Sequence, residues 1–416
     1  MDTAVISIGD ELLIGQVVNT NATWLGAQLF TLGIPLTRVI TIGDDEPAIL
    51  RAFGEAMKNY SVVVVTGGLG PTHDDITKYA ACKYFATELS EDAAVLRHIE
   101  ERWQKRGMAL NTSTRSQAMV PRACTVLHNE LGTAPGMLFT EGDSSMFILP
   151  GVPAEMKKIF TDCIAPILAK RNIGSAIRWR TLNTTGIAES SLYELLGNID
   201  DLLQSEARLA FLPSARGVRM RITAEAESAS AADTIISGIE RRIRDKAERF
   251  IYSADDTAIE EIIGNILRER HLTIATAESC TGGLIANLIT NIPGSSEYFL
   301  RGYITYANNA KTELLGVPEK SLATHGAVSE EAAVQMALGA RRQTNSDIAI
   351  ATTGIAGPDG GSDEKPVGLL WVGYSDSEQT YARKYLFGGE RLINKERFAN
   401  AALDLLRRQL LGIPFK

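Results

Sequence analysis

The chain is poor in histidine and cysteine, with five of the first and four of the second in 416 residues. Cys82, Cys124, Cys163 and Cys280 are widely spaced and form no CxxC pair, which argues against a disulfide framework or a zinc knuckle. No run of about 18 apolar residues occurs, so no segment reads as a membrane span. The opening "MDTAVISIGDELL" lacks a basic stretch before its apolar run and carries an acid at position 2. It does not read as a signal peptide, and a cytoplasmic location is expected. Long basic runs are missing too, and the net charge is −8, which argues against nucleic acid as a partner. The one basic cluster, Arg241 to Lys246, reads as the wetted face of a helix. There is no internal repeat and no low-complexity segment.

What is present is the composition of a soluble globular protein, 45% hydrophobic and 22% charged, in a chain too long for one core. Continuous apolar runs such as "TAVISIG" and "SVVVVTGG" alternate with amphipathic stretches (Thr20 to Leu32, Glu46 to Lys58, Asp74 to Phe85). Strands of that kind are covered on both faces, which predicts a doubly wound parallel sheet over residues 1–170. Over 171–253 the elements shorten to strand, helix, strand, strand, helix. Val218, Met220 and Ile222 alternate with Arg219, Arg221 and Thr223, which predicts a half-wet, antiparallel sheet in a small α+β connecting domain. Residues 254–416 return to α/β layering, with strands "LTIAT", "GYITYA", "DIAIATTG", "VGLLWVGYS" and "YARKYLF" and a closing helix from about Leu392 to Leu411. The fold class is α/β in three parts.

The stretch "TAESCTGG" holds four side chains that could attack an acyl carbon: Thr276, Ser279, Cys280 and Thr281. The nearest histidine, His271, falls at the far end of the strand leading in, so no Ser-His-Asp arrangement is visible. Apolar residues at helical spacing after Ser279 place it at a strand-to-helix turn. There Ser279 is either a plain helix cap, with Gly282 and Gly283 allowing close packing, or a nucleophile beside the free N–H groups of a helix start. With histidine scarce, a base would be a lysine whose pKa is lowered. Lys311 follows a strand end, with Tyr306 nearby, and can equally be an exposed helix lysine. "GIAGPDGG" is a glycine-rich turn after a strand, where amides can form an anion nest.

The blocks "AESCTGG", "IPGSSEYFLRGYITYANNAKTELLGV", "HGAVSEE", "TTGIAGPDGGSDEKPVG" and "FGGER" occur in that order and cover residues 255–411. In them the chain resembles the C-terminal domain of the CinA family of competence/damage-inducible proteins, whose activity is nicotinamide mononucleotide deamidase. The resemblance implies Ser279 as nucleophile and Lys311 as general base. It implies Ser296, Tyr306, Thr353 and Gly354 as substrate contacts, Arg391 as the grip on the mononucleotide phosphate, and no cofactor for this reaction.

In the first domain, "SIGDELLIGQVVNTN" and "VVVVTGGLGPTHDDIT" stand out. Gly67, Gly68 and Gly70 after a buried strand let the backbone approach a phosphate. Thr72 and Asn21, in the same two motifs, are read with them as phosphate or nucleotide contacts. Asp74 and Asp75 either balance a helix dipole or serve a ligand. Asp10, Glu11 and Asp44 cluster at strand ends that a parallel sheet brings to one edge. These motifs look like the molybdopterin-binding fold. With "TAPGM", "LPGVPAEM" and "TGIAESSL" they resemble the N-terminal part of CinA proteins over about residues 1–250. That resemblance implies hydrolysis of ADP-ribose to AMP and ribose 5-phosphate, with a divalent metal (Mg, Mn or Co) on the five carboxylates and promotion by potassium. The alternative is a part that only binds a pterin or nucleotide. Where the family often has an Asn-Pro pair, this chain has Asn129, Glu130, Leu131, Gly132, so that loop's contacts are expected to vary. Substrates are then nicotinamide mononucleotide and ADP-ribose, and a homodimer is expected.

Overall fold

The computed structural model describes residues 2–72, 75–105, 107, 109–171, 176–204, 206–255 and 257–415. The chain falls into two compact units, residues 1–178 with 225–232, and residues 179–224 with 233–416.

In the first unit the sheet has the order Leu36–Ile42, Thr3–Ile8, Val62–Thr66, Ser144–Leu149, Gly136–Glu141, Thr125–Leu127. The first four strands are parallel, Gly136–Glu141 runs against them, and the edge strand Thr125–Leu127 pairs antiparallel to Gly136–Glu141. Every residue of Thr3–Ile8 and Val62–Thr66 is buried, because helices cover both faces. On one face Ile49, Phe53 and Met57 of helix Glu46–Asn59 join Ala80 and Ala81 of Thr77–Tyr84 over Ile6, Val63 and Val65. On the other, Leu25 and Leu29 of Thr20–Thr31 and Met156 and Ile159 of Pro153–Ile159 pack on Val5, Val62 and Val64. Two helix starts are marked in sequence: Asn19 accepts from Ala22 N and Asp45 from Ala48 N. From Thr3–Ile8 the chain runs outward to Leu36–Ile42 and then crosses back past it to Val62–Thr66, so the strand order reverses there and opens a crevice at the carboxyl ends of these strands. The helix expected from Asp74 begins at Thr77, and Asp75 is spent in the turn before it.

The second unit holds two sheets. The smaller has the order Ala207–Ser214, Gly217–Ala226, Ala176–Thr184, Ile251–Ser253. Its first two strands pair antiparallel, with Val218, Met220 and Ile222 buried and Arg219 and Arg221 exposed. The larger has the order Phe299–Ile304, Ile274–Glu278, Ile348–Gly354, Leu369–Ser375, Thr380–Leu386; the first three strands are parallel and the last two antiparallel. Helix Glu330–Thr344 lies on one face and packs closely; a Cβ at Gly373 would sit 2.1 Å from Ala333 O. Leu267 of Ile259–Glu269, Ile285 of Leu284–Thr290 and Phe398 of Arg391–Leu411 fill the core on the other face.

The three sequence segments give only two compact units because helix Arg391–Leu411 ties the connecting segment to the C-terminal sheet. Arg407, 1% exposed, donates to Asp404 (2.9 Å) and to Arg249 O (3.0 Å), and Asn400 donates to Thr185 Oγ1 (2.9 Å). A buried guanidinium is stable only with such partners. No described helix is long and apolar enough to cross a membrane.

Candidate functional site

The strand Ile274–Glu278 is central in its sheet, and Glu278 pairs with Ile304 on one side and Thr352 on the other. Parallel register therefore brings Ser279, Thr305, Tyr306, Thr353 and Gly354 to one edge. The turn from Ser279 to Gly283 is held by Ser279 N donating to Thr352 O (2.9 Å) and Gly282 N to Ser279 O (3.2 Å). Gly282 and Gly283 have φ of +62° and +94°, a conformation that glycine adopts at little cost.

Ser279 does not cap the helix. The cap is Glu278, 1% exposed, whose carboxylate accepts from Gly283 N (2.9 Å), Ile285 N (3.1 Å) and Ala286 N (2.8 Å). The positive φ of the two glycines bends the helix start back over the strand end, where the side chain of Glu278 reaches the amides first. Those amides, expected as an oxyanion site, are occupied. The serine hydroxyl is left for other work.

Of the four candidate nucleophiles, Ser279 alone is partly accessible; Thr276 and Thr281 are fully buried and Cys280 is 6% exposed. Thr281 Oγ1 lies 2.7 Å from Thr352 Oγ1. Burial pushes the Cys280 thiol up to about 12, so it stays protonated at neutral pH.

Lys311, on helix Asn308–Leu315, is 1% exposed. Its Nζ lies 3.2 Å from Ser279 Oγ, 2.7 Å from Thr305 O and 3.2 Å from Tyr306 O, and it has no carboxylate partner among the described residues. Burial lowers its pKa below the usual lysine value, with the nearby Cys280 as the weaker opposing influence. The two carbonyls can only accept. In the neutral amine they take both N–H hydrogens, which leaves the lone pair facing the Ser279 hydroxyl.

Tyr306 is exposed, and its hydroxyl accepts from Arg391 Nη2 (2.9 Å), whose Nη1 donates to Gly357 O (2.7 Å). Thr353 is buried and donates to Ala327 O (2.6 Å), so toward a ligand its hydroxyl offers only lone pairs. Gly354 is required by packing, since a Cβ there would meet Leu369 O at 2.4 Å. Ser296 is a correction. It lies in the 3-10 turn Ser295–Glu297 before Phe299, and Phe299 pairs with Ile274 at the amino end of the parallel strands. It is at the opposite edge of the sheet from Ser279.

In the first unit a cavity of about 470 Å³ sits in the crevice, lined by Glu11, Asn21, Asp44, Gly67, Gly68, Gly70, Asp75 and Glu155 among others. Asn21 Nδ2 donates to Gly151 O (2.8 Å), while its Oδ1 is buried with no partner among the described residues. The glycine loop differs from the expectation of free donors. Gly67 N donates to Leu149 O (3.1 Å), Gly70 N (2.7 Å) and Thr72 N (2.9 Å) donate to the Asp75 carboxylate, and Thr72 Oγ1 donates there too. Asp75 thus fills the loop as an internal anion, and Thr72 does not line the cavity. Asp10 also stands outside it: its carboxylate accepts from Asp44 N (3.3 Å), while Asp44, which accepts from Asp10 N (3.1 Å), lines the cavity. Asp74 lies outside the described residues. Asn129, 3% exposed, builds its loop by accepting from Leu131 N and Gly132 N and donating to Ala134 O and Glu155.

The carboxylates of Glu11, Asp44 and Asp75 are the oxygen donors a hard divalent ion prefers. They do not converge: among the described residues no group of three or more acidic, histidine or cysteine side chains could hold a metal ion. As they stand these residues do not form a metal cage.

Candidate sites at the carboxyl ends of the parallel strands of two mixed sheets mark a multidomain α/β protein. Family models match throughout: "Probable molybdopterin binding domain" over residues 4–170, "Damage-inducible protein CinA KH domain" over 179–253 and "CinA C-terminal domain" over 256–410. A CinA-like protein of Salinibacter ruber is 43% identical, the match covering 99% of this chain and 100% of that one. A putative competence-damage inducible protein of Caldicellulosiruptor bescii is 42% identical over the same shares. A crystal structure of a CinA protein of unknown function from Thermoplasma acidophilum is 36% identical, covering 40% of this chain and 97% of that one, with a TM-score of 0.37. The chain belongs to the CinA family.

Sequence reasoning missed Glu278, although a glutamate at a strand end before two glycines is a signal for a cap. It also missed Glu155 and Asn129, whose roles depend on a contact across 26 residues.

Proposed function

We propose that the chain is a pyridine-nucleotide salvage hydrolase whose Ser279–Lys311 site hydrolyses the carboxamide of nicotinamide mononucleotide. The observation that carries this is the buried Lys311 amine, 3.2 Å from Ser279 Oγ, whose other two partners are carbonyls. Neutral Lys311 accepts the Ser279 proton as Oγ bonds to the carboxamide carbon. The tetrahedral adduct collapses, the C–N bond breaks, and Nζ passes its proton to the departing nitrogen as ammonia. Water then attacks the acyl-serine and gives a proton to Nζ. That proton returns to Ser279 Oγ as nicotinate mononucleotide leaves. One water is consumed and one ammonia released, and no cofactor is used. In ¹⁸O water the product carboxylate should carry one ¹⁸O for each ammonia formed. Release of nicotinamide without ammonia would refute the reading.

Arg391 is proposed as a ligand for the substrate phosphate, its two donating nitrogens fixed by Gly357 O and Tyr306 OH. The phosphate is remote from the carboxamide, so the contact stabilises ground and transition states alike. Arg391→Ala should raise KM for the mononucleotide roughly thirtyfold, about 2 kcal/mol for a charge-assisted contact, with kcat nearly kept. Steady-state kinetics checks the split; an unchanged KM excludes the assignment.

For the first unit we propose hydrolysis of ADP-ribose to AMP and ribose 5-phosphate, supported by the size of the cavity, its glycine edge and its four carboxylates, Glu11, Asp44, Asp75 and Glu155. A divalent ion is proposed as its cofactor. No step is assigned to an ion, because the described carboxylates do not gather around one point. Asp75→Ala frees the amides of Gly70 and Thr72 and unravels that turn. It should abolish ADP-ribose turnover and leave ammonia release from nicotinamide mononucleotide unchanged, since each site is built on its own sheet. Equal loss of both activities in the folded variant would contradict independent sites. Binding of ADP-ribose without turnover by the parent chain with Mg, Mn or Co would favour the alternative, a domain that only binds a pterin or nucleotide.

A further inference from the structure

We infer that Lys395 is a second phosphate ligand of the deamidase site, acting with Arg391 on the 5′-phosphate of the substrate; this rests on the reading of Ser279 and Lys311 given above. Lys395 and Arg391 are one turn apart on helix Arg391–Leu411, so their side chains share a face. Arg391 is directed by Gly357 O and Tyr306 OH to the sheet edge that carries the site. Lys395 reaches the nucleophile turn itself: a Cβ built on Gly282, three residues after Ser279, would lie 3.5 Å from Lys395 Nζ.

Local energetics oppose this pair. Like charges at this spacing repel. Both cations stand near the amino end of the helix, where the dipole is positive, and the first turn contains no acidic residue. Lys395 has no ion pair among the described residues, although Glu390 and Glu396 are close in sequence. A half-buried lysine kept unpaired beside a second cation, against three local rules, marks a ligand site more than a stability device. A phosphate monoester carries about −1.5 to −2 charge at neutral pH, which one guanidinium leaves partly uncompensated and two cations match. Arg391 supplies flat, directional donors and Lys395 a compact point charge.

The test uses the full chain as parent, Lys395→Gln and Lys395→Arg. Lys395→Gln should raise KM for nicotinamide mononucleotide about tenfold, the scale of a charge-assisted hydrogen bond. It should keep kcat within about twofold and lower the preference for the mononucleotide over nicotinamide riboside by the same factor, as expected for loss of uniform binding. Lys395→Arg should recover most of the loss. A second measurement does not depend on catalysis: ribose 5-phosphate, and not ribose, should raise the Tm of the parent and of Lys395→Arg, and Lys395→Gln should show a clearly smaller rise at the same ligand concentration. An unchanged KM together with an unchanged ribose 5-phosphate shift in Lys395→Gln overturns the inference. Absence of ammonia release from the parent would sink the deamidase reading instead, and the ribose 5-phosphate shifts would still decide for or against Lys395 as a phosphate ligand.

Discussion

Replacing Ser279 with alanine is expected to lower ammonia release from nicotinamide mononucleotide by roughly 10⁴-fold or more, the loss typical when the nucleophile of a nucleophile–base pair is removed. Replacing Cys280 with alanine should leave most of the activity. The adjacent side chains are separated by geometry: Ser279 is accessible and faces Lys311 Nζ, while Cys280 is buried with its thiol held protonated. Iodoacetamide should therefore modify Cys280 slowly and trap no active-site adduct. An inactive Cys280→Ala beside an active Ser279→Ala would transfer the role to the cysteine.

Lys311→Met should be nearly as damaging as Ser279→Ala, because the two side chains act as a unit and their losses do not add. In the parent enzyme kcat/KM should rise with pH through the lowered pKa of Lys311, since only the neutral amine accepts the serine proton. That limb should be missing from whatever residual rate Lys311→Met retains. Stability is linked to the same group. A free lysine titrates near 10.4. With the folded pKa lowered, the unfolded chain binds more protons than the native one between the folded value and about 10.4. The parent should therefore gain stability relative to Lys311→Met as pH rises through that window, with no pH-dependent difference from this group below it. Parallel denaturation curves at several pH values test the sign; a difference that shrinks with rising pH would show that Lys311 is charged in the folded protein.

The layout of both α/β parts was legible because their strands are unbroken apolar runs. "SVVVVTGG" can only be covered on both faces, and Val62–Thr66 is buried throughout. The alternation at Val218 to Thr223 was equally readable as one dry face and one wet face. Helix starts with a local cap, Asp45 and Asn19, fell where the residue types placed them. The start after Ser279 did not, because its cap comes from a side chain at the strand end and needs two left-handed glycines to reach the amides.

Sequence spacing by itself determined the fold class, the short catalytic candidates and their place at strand ends, since these depend on periodicities of two and 3.6 residues along the chain. It could not determine which hydroxyl faces Lys311, that Ser296 sits at the far edge, that Asp75 fills its own glycine loop, or that Lys395 stands over Gly282. Each of these depends on strand register, or on where a side chain points within a turn. Burial then decides the chemistry. A lysine surrounded by a core, with two carbonyls as partners, is pushed toward its neutral form; the same residue on an exposed helix would be a charge in water.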